Sequence, residues 1–214
     1  MEGDMSSLIF EITDNSVAVA VDTMCVDELG SFRGHVSKAF AIPHLQVVIA
    51  GTGVLDVIER FFIAINSSSA LNHDELAEKS GDLLAEIWED WKQSAEIRRS
   101  SDGEAIGDPG ITTTVFQFGF SHAAGRYEAV QYHSGEGFRA ERIPRSDNLF
   151  YKPPAPLLGE KQNGIAEIAR IMLSQRAHES SKPASKRIHI GGDILLLCID
   201  QQGVTIRKVY SFAD

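Results

Sequence analysis

The sequence predicts an α+β fold: antiparallel sheets packed together and covered by helices. Strand-like segments come in consecutive runs joined by short turns, and helix-like segments come in blocks between those runs. The order along the chain is two hairpins, two helices, three strands, one helix and a closing hairpin. Strands and helices that do not alternate exclude a doubly wound parallel sheet. No internal repeat and no long low-complexity tract interrupts the 214 residues, so residues 1–214 are expected to form a single domain.

Each element has a local reason. Leu8 to Ile12 is short and apolar-rich, and Asp14-Asn15 turns the chain. Ser16 to Val21 reads SVAVAV, a buried-strand pattern ended by Asp22, and Met24 to Val26 is expected to extend it. Asp27 to Gly34 is polar, carries two glycines and reads as a loop. Lys38 to Ile42 and Leu45 to Ala50 form the second hairpin around Pro43-His44. Gly51-Thr52-Gly53 ends it and opens a helix from Val54 to Asn66, with Val54, Val57, Ile58, Phe61, Phe62 and Ile65 as one stripe. Asn72 and Glu75 read as a capping-box variant for a second helix that carries Leu76, Leu84, Trp88 and Trp91. The tryptophans continue that helix's apolar stripe and are assigned to the core.

Ala95 to Gly110 is rich in Ser, Asp and Gly and reads as a loop. Strands follow at Ile111 to Phe120, Tyr127 to His133 and Phe138 to Ile143. Three prolines make Tyr151 to Leu158 extended. Ile165 to Arg176 is the third helix and His178 to Lys186 a polar loop. Ile188 to Ile199 and Val204 to Tyr210 close the chain as a hairpin around Gln201-Gln202-Gly203.

The formal net charge is −10, with 30 acidic against 20 basic residues, which argues against nucleic acid and anionic membrane as partners. Cys25 and Cys198 lie in apolar runs and read as buried thiols of a reducing compartment. Met1 to Met5 has no basic region followed by an apolar one, and no run of about 18 apolar residues occurs. A cytoplasmic protein is therefore expected. The seven histidines show no metal spacing, and Gly51-Thr52-Gly53 lacks the longer phosphate-loop pattern, so neither metal nor cofactor is expected. His133 and His189 sit in strand-like regions and read as structural.

Ser6, Asp22 and Lys38 stand at two equal intervals of 16 residues. A hydroxyl, a carboxylate and an amine are the parts of a self-activating nucleophile. A chain cut before Ser6 would place its new α-amine beside its own hydroxyl. With these residues go Val19-Ala20-Val21-Asp22-Thr23, Val36-Ser37-Lys38, Ala50-Gly51-Thr52-Gly53 and a glycine pair, Gly191-Gly192, leading into a strand. In these motifs and their order the sequence resembles the N-terminal-nucleophile hydrolases, specifically the β-type subunits of the proteasome and their bacterial relatives.

That resemblance implies a four-layer αββα sandwich of two antiparallel sheets flanked by helices. It implies a propeptide of residues 1–5, with Ser6 as the freed nucleophile and its amine as base. Lys38 would steady the alkoxide, Asp22 would hold Lys38, and the backbone N–H of Gly51 or Thr52 would form the oxyanion hole. The substrate would be a peptide or small amide, and the subunit would self-associate, with a ring as the family's common form. The alternative is a catalytically inactive proteasome-like subunit with a structural, assembly or binding role. Arg187 favours it, because the family carries Asp four residues before the glycine pair.

Overall fold

A computed structural model describes residues 6–26, 31–102, 111–143, 145, 148–183 and 186–212, with the backbone alone for 95–102. The expected propeptide and the Asp108-Pro109-Gly110 turn lie outside the described residues. The strands are β1 (Leu8–Ile12), β2 (Ser16–Asp22), β3 (Met24–Val26), β4 (Phe32–His35), β5 (Ala39–Ile42), β6 (Val47–Thr52), β7 (Thr114–Ser121), β8 (Arg126–His133), β9 (Glu141–Ile143), β10 (Phe150–Lys152), β11 (Asp193–Asp200) and β12 (Gly203–Ser211). The helices are α1 (Leu55–Asn66), α2 (His73–Asp102) and α3 (Ile165–Ser180). One five-stranded sheet runs β10-β1-β2-β11-β12 and a second runs β5-β6-β7-β8-β9, with every pair antiparallel; β3 and β4 make a separate ribbon.

The period of two along each strand sorts the apolar residues into separate clusters. Leu8, Phe10, Val19 and Val21 of the first sheet meet Val48, Ala50, Phe116 and Phe118 of the second in one buried cluster. Phe10 ties the sheets directly by meeting Phe118 edge-on at 5.0 Å between ring centroids, and it stacks on Phe150 of its own sheet at 4.4 Å. The intervening residues of the first sheet, Ile9, Ala20, Ile194 and Leu196, pack with Ile168, Ile171 and Met172 of α3. Val47, Ile49, Val115 and Tyr132 of the second sheet pack with Val57, Ile58 and Phe61 of α1 and Leu76 and Leu84 of α2. Each buried aliphatic or aromatic side chain contributes about 1.5–3 kcal/mol of transfer free energy, so this sorting holds the register. Among the described residues no helix is long and apolar enough to cross a membrane.

Most element types match the sequence reading, and the differences have local causes. Met24–Val26 does not extend β2. The backbone N–H groups of Thr23 and Met24 both donate to the Gly191 carbonyl, which diverts the chain into a ribbon with Phe32–His35, a segment read as loop. Helix α2 continues through Asp102 instead of ending near residue 95. Its polar residues are tolerable helix formers, and neither Gly nor Pro stops it before Gly103. Phe150–Lys152 adds an edge strand beside β1, and Pro153, with no N–H to donate, ends it. Helix α3 runs to Ser180, past the expected end at Arg176. Residues 188–192 are not strand, and β11 begins at Asp193 after Gly192 turns at φ 75°. The cap of α2 is as expected: Glu75 N–H donates to Asn72 Oδ1 at 3.0 Å, and Leu71 N–H to Glu75 Oε2 at 3.1 Å.

A buried polar network joins the start of α2 to the second sheet. The Gln117 amide donates to the His73 carbonyl at 2.8 Å and approaches His73 Nδ1 at 3.1 Å. Its oxygen accepts from Ser80 at 3.0 Å and Tyr132 at 3.3 Å. With Nδ1 accepting, the ring proton sits on Nε2, 3.4 Å from Glu128 Oε1. Arg142 pairs with Glu128 and takes up its charge. Burial depresses the His73 pKa to about 4, opposed by Asp74 and reinforced by Arg142. The folded state therefore keeps His73 neutral where the unfolded chain protonates it, between the ordinary histidine value of 6.5 and about 4. Stability present above that window is lost as pH falls through it, by up to about 3 kcal/mol for this residue. In urea unfolding at stepped pH, His73→Gln is expected to lose that part of the acid sensitivity between pH 6.5 and 4 while other carboxylate effects persist.

Candidate functional site

The site grows from the end of β2. Asp22 is fully buried, and its carboxylate accepts four hydrogen bonds from three donors on three other chain segments. Lys38 Nζ donates to both oxygens at 3.1 Å, Ser7 N–H to Oδ1 at 3.0 Å and Gly191 N–H to Oδ2 at 3.1 Å. Burial pushes the Asp22 carboxyl up, and Lys38 with the Gly191 and Ser7 N–H groups pulls it back. The upward push is the larger, which makes the satisfied donor set a condition for ionisation here. Lys38 stands immediately before β5 and is 5% exposed.

Ser6 and Lys38 line the same pocket, of about 30 Å³, together with Gly53 and His189. The ribbon adds Met24, Cys25 and Val26, and Val36 and Leu55 complete an apolar wall. Asp22 joins this group through Lys38. Gly51 and Thr52 do not reach the pocket lining; they stay in strand register with Val115 and Thr114 at the end of β6. Gly53, the next residue, forms the wall at φ 101°, and a Cβ there would stand 2.1 Å from the Thr112 carbonyl oxygen. Beyond it Val54 N–H is held by Thr113 Oγ1 at 3.0 Å as α1 begins.

Ser7 fixes the chain just behind Ser6. Its hydroxyl donates to Gln175 Oε1 at 2.6 Å, and Gln175 Nε2 donates to the Pro153 carbonyl at 2.5 Å. Both Ser7 and Gln175 are fully buried. Gln175 thus clamps α3 to the first β-strand's approach and to the end of β10. The sequence held a signal for it: a polar residue on the apolar face of α3, in line with Ile168 and Met172.

The ribbon is latched to the same place. Thr23 Oγ1 accepts from Asp193 N–H at 2.8 Å and is hydrogen-bonded to His35 Nδ1 at 3.1 Å. Gly192 leaves the room for this, since a Cβ there would come within 2.5 Å of both side chains. Arg187 turns away from the pocket. Its guanidinium donates to the Ser180 and Lys182 carbonyls at 2.9 and 3.1 Å, capping the end of α3 where a cation is favoured. Lys152 bridges the two large sheets through Thr114 Oγ1 at 3.0 Å, and burial lowers its pKa. Among the described residues no group of three or more His, Cys, Asp or Glu is placed to hold a metal.

No protein-family model matches the chain, and no curated protein matches it. Among solved structures it is similar to the Gly-1 mutant of Anbu from Hyphomicrobium sp. strain MC1, with a TM-score of 0.62. The match covers 98% of this chain and 89% of that one at 15% sequence identity. A likeness at that identity shows the fold, and the fold is proteasome-related.

Two stability outcomes follow from the buried bonds. Lys38→Met strands a buried carboxylate and is expected to cost about 3–5 kcal/mol at neutral pH, measured by chemical denaturation. Gln175→Ala leaves the Ser7 hydroxyl and the Pro153 carbonyl without their partner, and is expected to cost about 1–3 kcal/mol in the same assay.

Proposed function

We propose that this chain is a proteasome-β-like N-terminal-nucleophile amidohydrolase that cleaves a peptide or small amide, with Ser6 as nucleophile. The observation that carries the reading is the shared pocket of Ser6 and Lys38, with Lys38 held on both oxygens of the buried Asp22. In this reading residues 1–5 are removed by self-cleavage, and residues 1–214 fold as one domain before that cut. The three clusters of core residues support a four-layer αββα arrangement, with α1 and α2 outside one sheet and α3 outside the other.

The chemistry runs from charge placement. The freed Ser6 amine accepts the hydroxyl proton, and Oγ attacks the carbonyl carbon. Lys38, positioned by both Asp22 oxygens, stabilises the developing alkoxide. The resemblance assigns the oxyanion to a backbone N–H at Gly51 or Thr52, beside the N-terminus of α1, whereas Gly53 is the residue of that turn that lines the pocket. An acyl-enzyme forms, and water releases it.

The protein works in the cytoplasm in this reading, with Cys25 and Cys198 as half-buried thiols outside any disulfide. It assembles with copies of itself, in a ring as the form to test. Ile63 on α1 and Leu71 before α2 support self-association, being 65% and 78% exposed. The second reading, a non-catalytic assembly or binding subunit, draws on Arg187, which caps α3 instead of supporting the pocket.

Intact mass of the purified chain separates the two. The enzyme reading expects loss of Met1 to Met5 from the wild type and the full mass in Ser6→Ala. A wild-type chain that keeps its first five residues under native conditions rules out the freed-amine mechanism.

A further inference from the structure

We infer that the outer face of α3 is a docking surface for a second copy of this chain, the two α3 helices lying antiparallel across a two-fold axis. The inference adds a specific contact to the self-association proposed above and does not depend on Ser6 being a nucleophile. Helix α3 is apolar on two sides. On its inner side Ile168, Ile171 and Met172 pack with the first sheet. At about 100° per residue, Ala166, Ala169, Leu173 and Ala177 fall on the opposite side. Leu173 is 42% exposed, and Ala166 and Ala177 are exposed beside it.

The outer side of α2 shows how this chain builds a solvated helix face: Glu78, Asp82, Glu86 and Glu89 are exposed there at helical spacing. In α3 both glutamates are buried and paired instead, Glu167 with Arg170 and Glu179 with Lys182. The loop before α3 widens the apolar face. Leu158 N–H donates to Ser174 Oγ at 2.9 Å, and the Leu158 carbonyl accepts from Arg170 Nη1 at 2.9 Å. These bonds lay Leu157 and Leu158 alongside the helix. Of the eight large hydrophobic side chains exposed among the described residues, Leu157, Leu158, Ile165 and Leu173 belong to this face. Scattered apolar side chains need no partner, whereas four on one anchored face mark a contact surface.

Charge and size select the occupant and its direction. Each copy carries a net charge of −10, so two copies repel over most of their surfaces. On the α3 face the carboxylates are withdrawn. Lys182, Lys186 and Arg187 follow the C-terminal end of α3, and Glu160 and Lys161 precede its N-terminal end. A parallel pair would set the two basic ends side by side. An antiparallel pair separates them, brings the exposed Lys186 towards the partner subunit's Glu160, and opposes the helix dipoles. With the axis midway between Ala169 and Leu173, each Leu173 meets Ala169 and each Ile165 meets Ala177 across the pair. Large then faces small at every such contact, and one patch serves both copies, as a two-fold interface requires.

The test is sedimentation velocity of the full chain over a concentration series. The wild type is expected to form a dimer or an assembly with an even number of subunits. Leu173→Glu and Ala177→Glu, both at exposed positions, are expected to keep the thermal unfolding midpoint. They are expected to raise the dissociation constant of the two-fold contact about 10²-fold, because each would bury a carboxylate against apolar side chains. Glu160→Lys is expected to weaken the dimer, and adding Lys186→Glu to restore it; a double variant weaker than Glu160→Lys alone overturns the antiparallel direction. A wild type that assembles while both α3 variants keep its mass overturns the inference and leaves self-association standing. Dimers that split in the α3 variants, with nothing larger in the wild type, uphold the inference and overturn the ring. A wild type that is monomeric at every concentration overturns both and gives the face to a different partner.

Discussion

The structure depends on one buried charge. A carboxylate with no solvent exposure costs several kcal/mol unless every lone pair finds a donor, and Asp22 finds its donors on segments remote in sequence. The approach to β1 supplies Ser7, the start of β5 supplies Lys38, and the turn before β11 supplies Gly191. Moving any one of these segments by an ångström would leave an uncompensated charge. Asp22 therefore sets where the two large sheets stand relative to each other at this end, a constraint that the apolar core, being non-directional, cannot impose.

The pocket inherits that rigidity. Ser6 precedes a residue held twice, through its N–H by Asp22 and through its hydroxyl by Gln175. Opposite it, the β3–β4 ribbon brings Met24, Cys25 and Val26 to the wall and is pinned by Thr23 and His35. Thr23 follows Asp22 directly, so the charged anchor and the ribbon latch sit on adjacent residues. The place of Ser6 in the pocket is thus set by buried bonds to its neighbour instead of by loop packing.

Much of this was legible in the sequence, for physical reasons that also explain the gaps. The SVAVAV run and the stripe of α1 bury one consistent face, so period alone located β2 and α1. The equal spacing of Ser6, Asp22 and Lys38 was visible because each stands at a strand end, where side chains of different strands converge. The strand Phe32–His35 was not, because it is short and lies in a two-stranded ribbon, where Phe32 is exposed and no alternation of burial develops. Phe150–Lys152 was hidden by the prolines beside it, although its pairing with β1 needs only three residues. His189, read as structural, lines the pocket with Ser6 and Lys38, because the turn at Gly191-Gly192 that brings it there leaves no periodic signal in the sequence.

Arg187, where the proteasome-like pattern has a carboxylate, spends its charge on the end of α3 and is not among the residues that line the pocket. Gln175, a neutral amide, holds the residue after Ser6 from outside that lining. A cut before Ser6 would fall after Met5, a bulkier residue than the glycine that suits a tight, strained turn. The inner charged pair has a structural task that does not depend on such a cut: Asp22 holds the Ser7 and Gly191 N–H groups, and Lys38 compensates its buried charge.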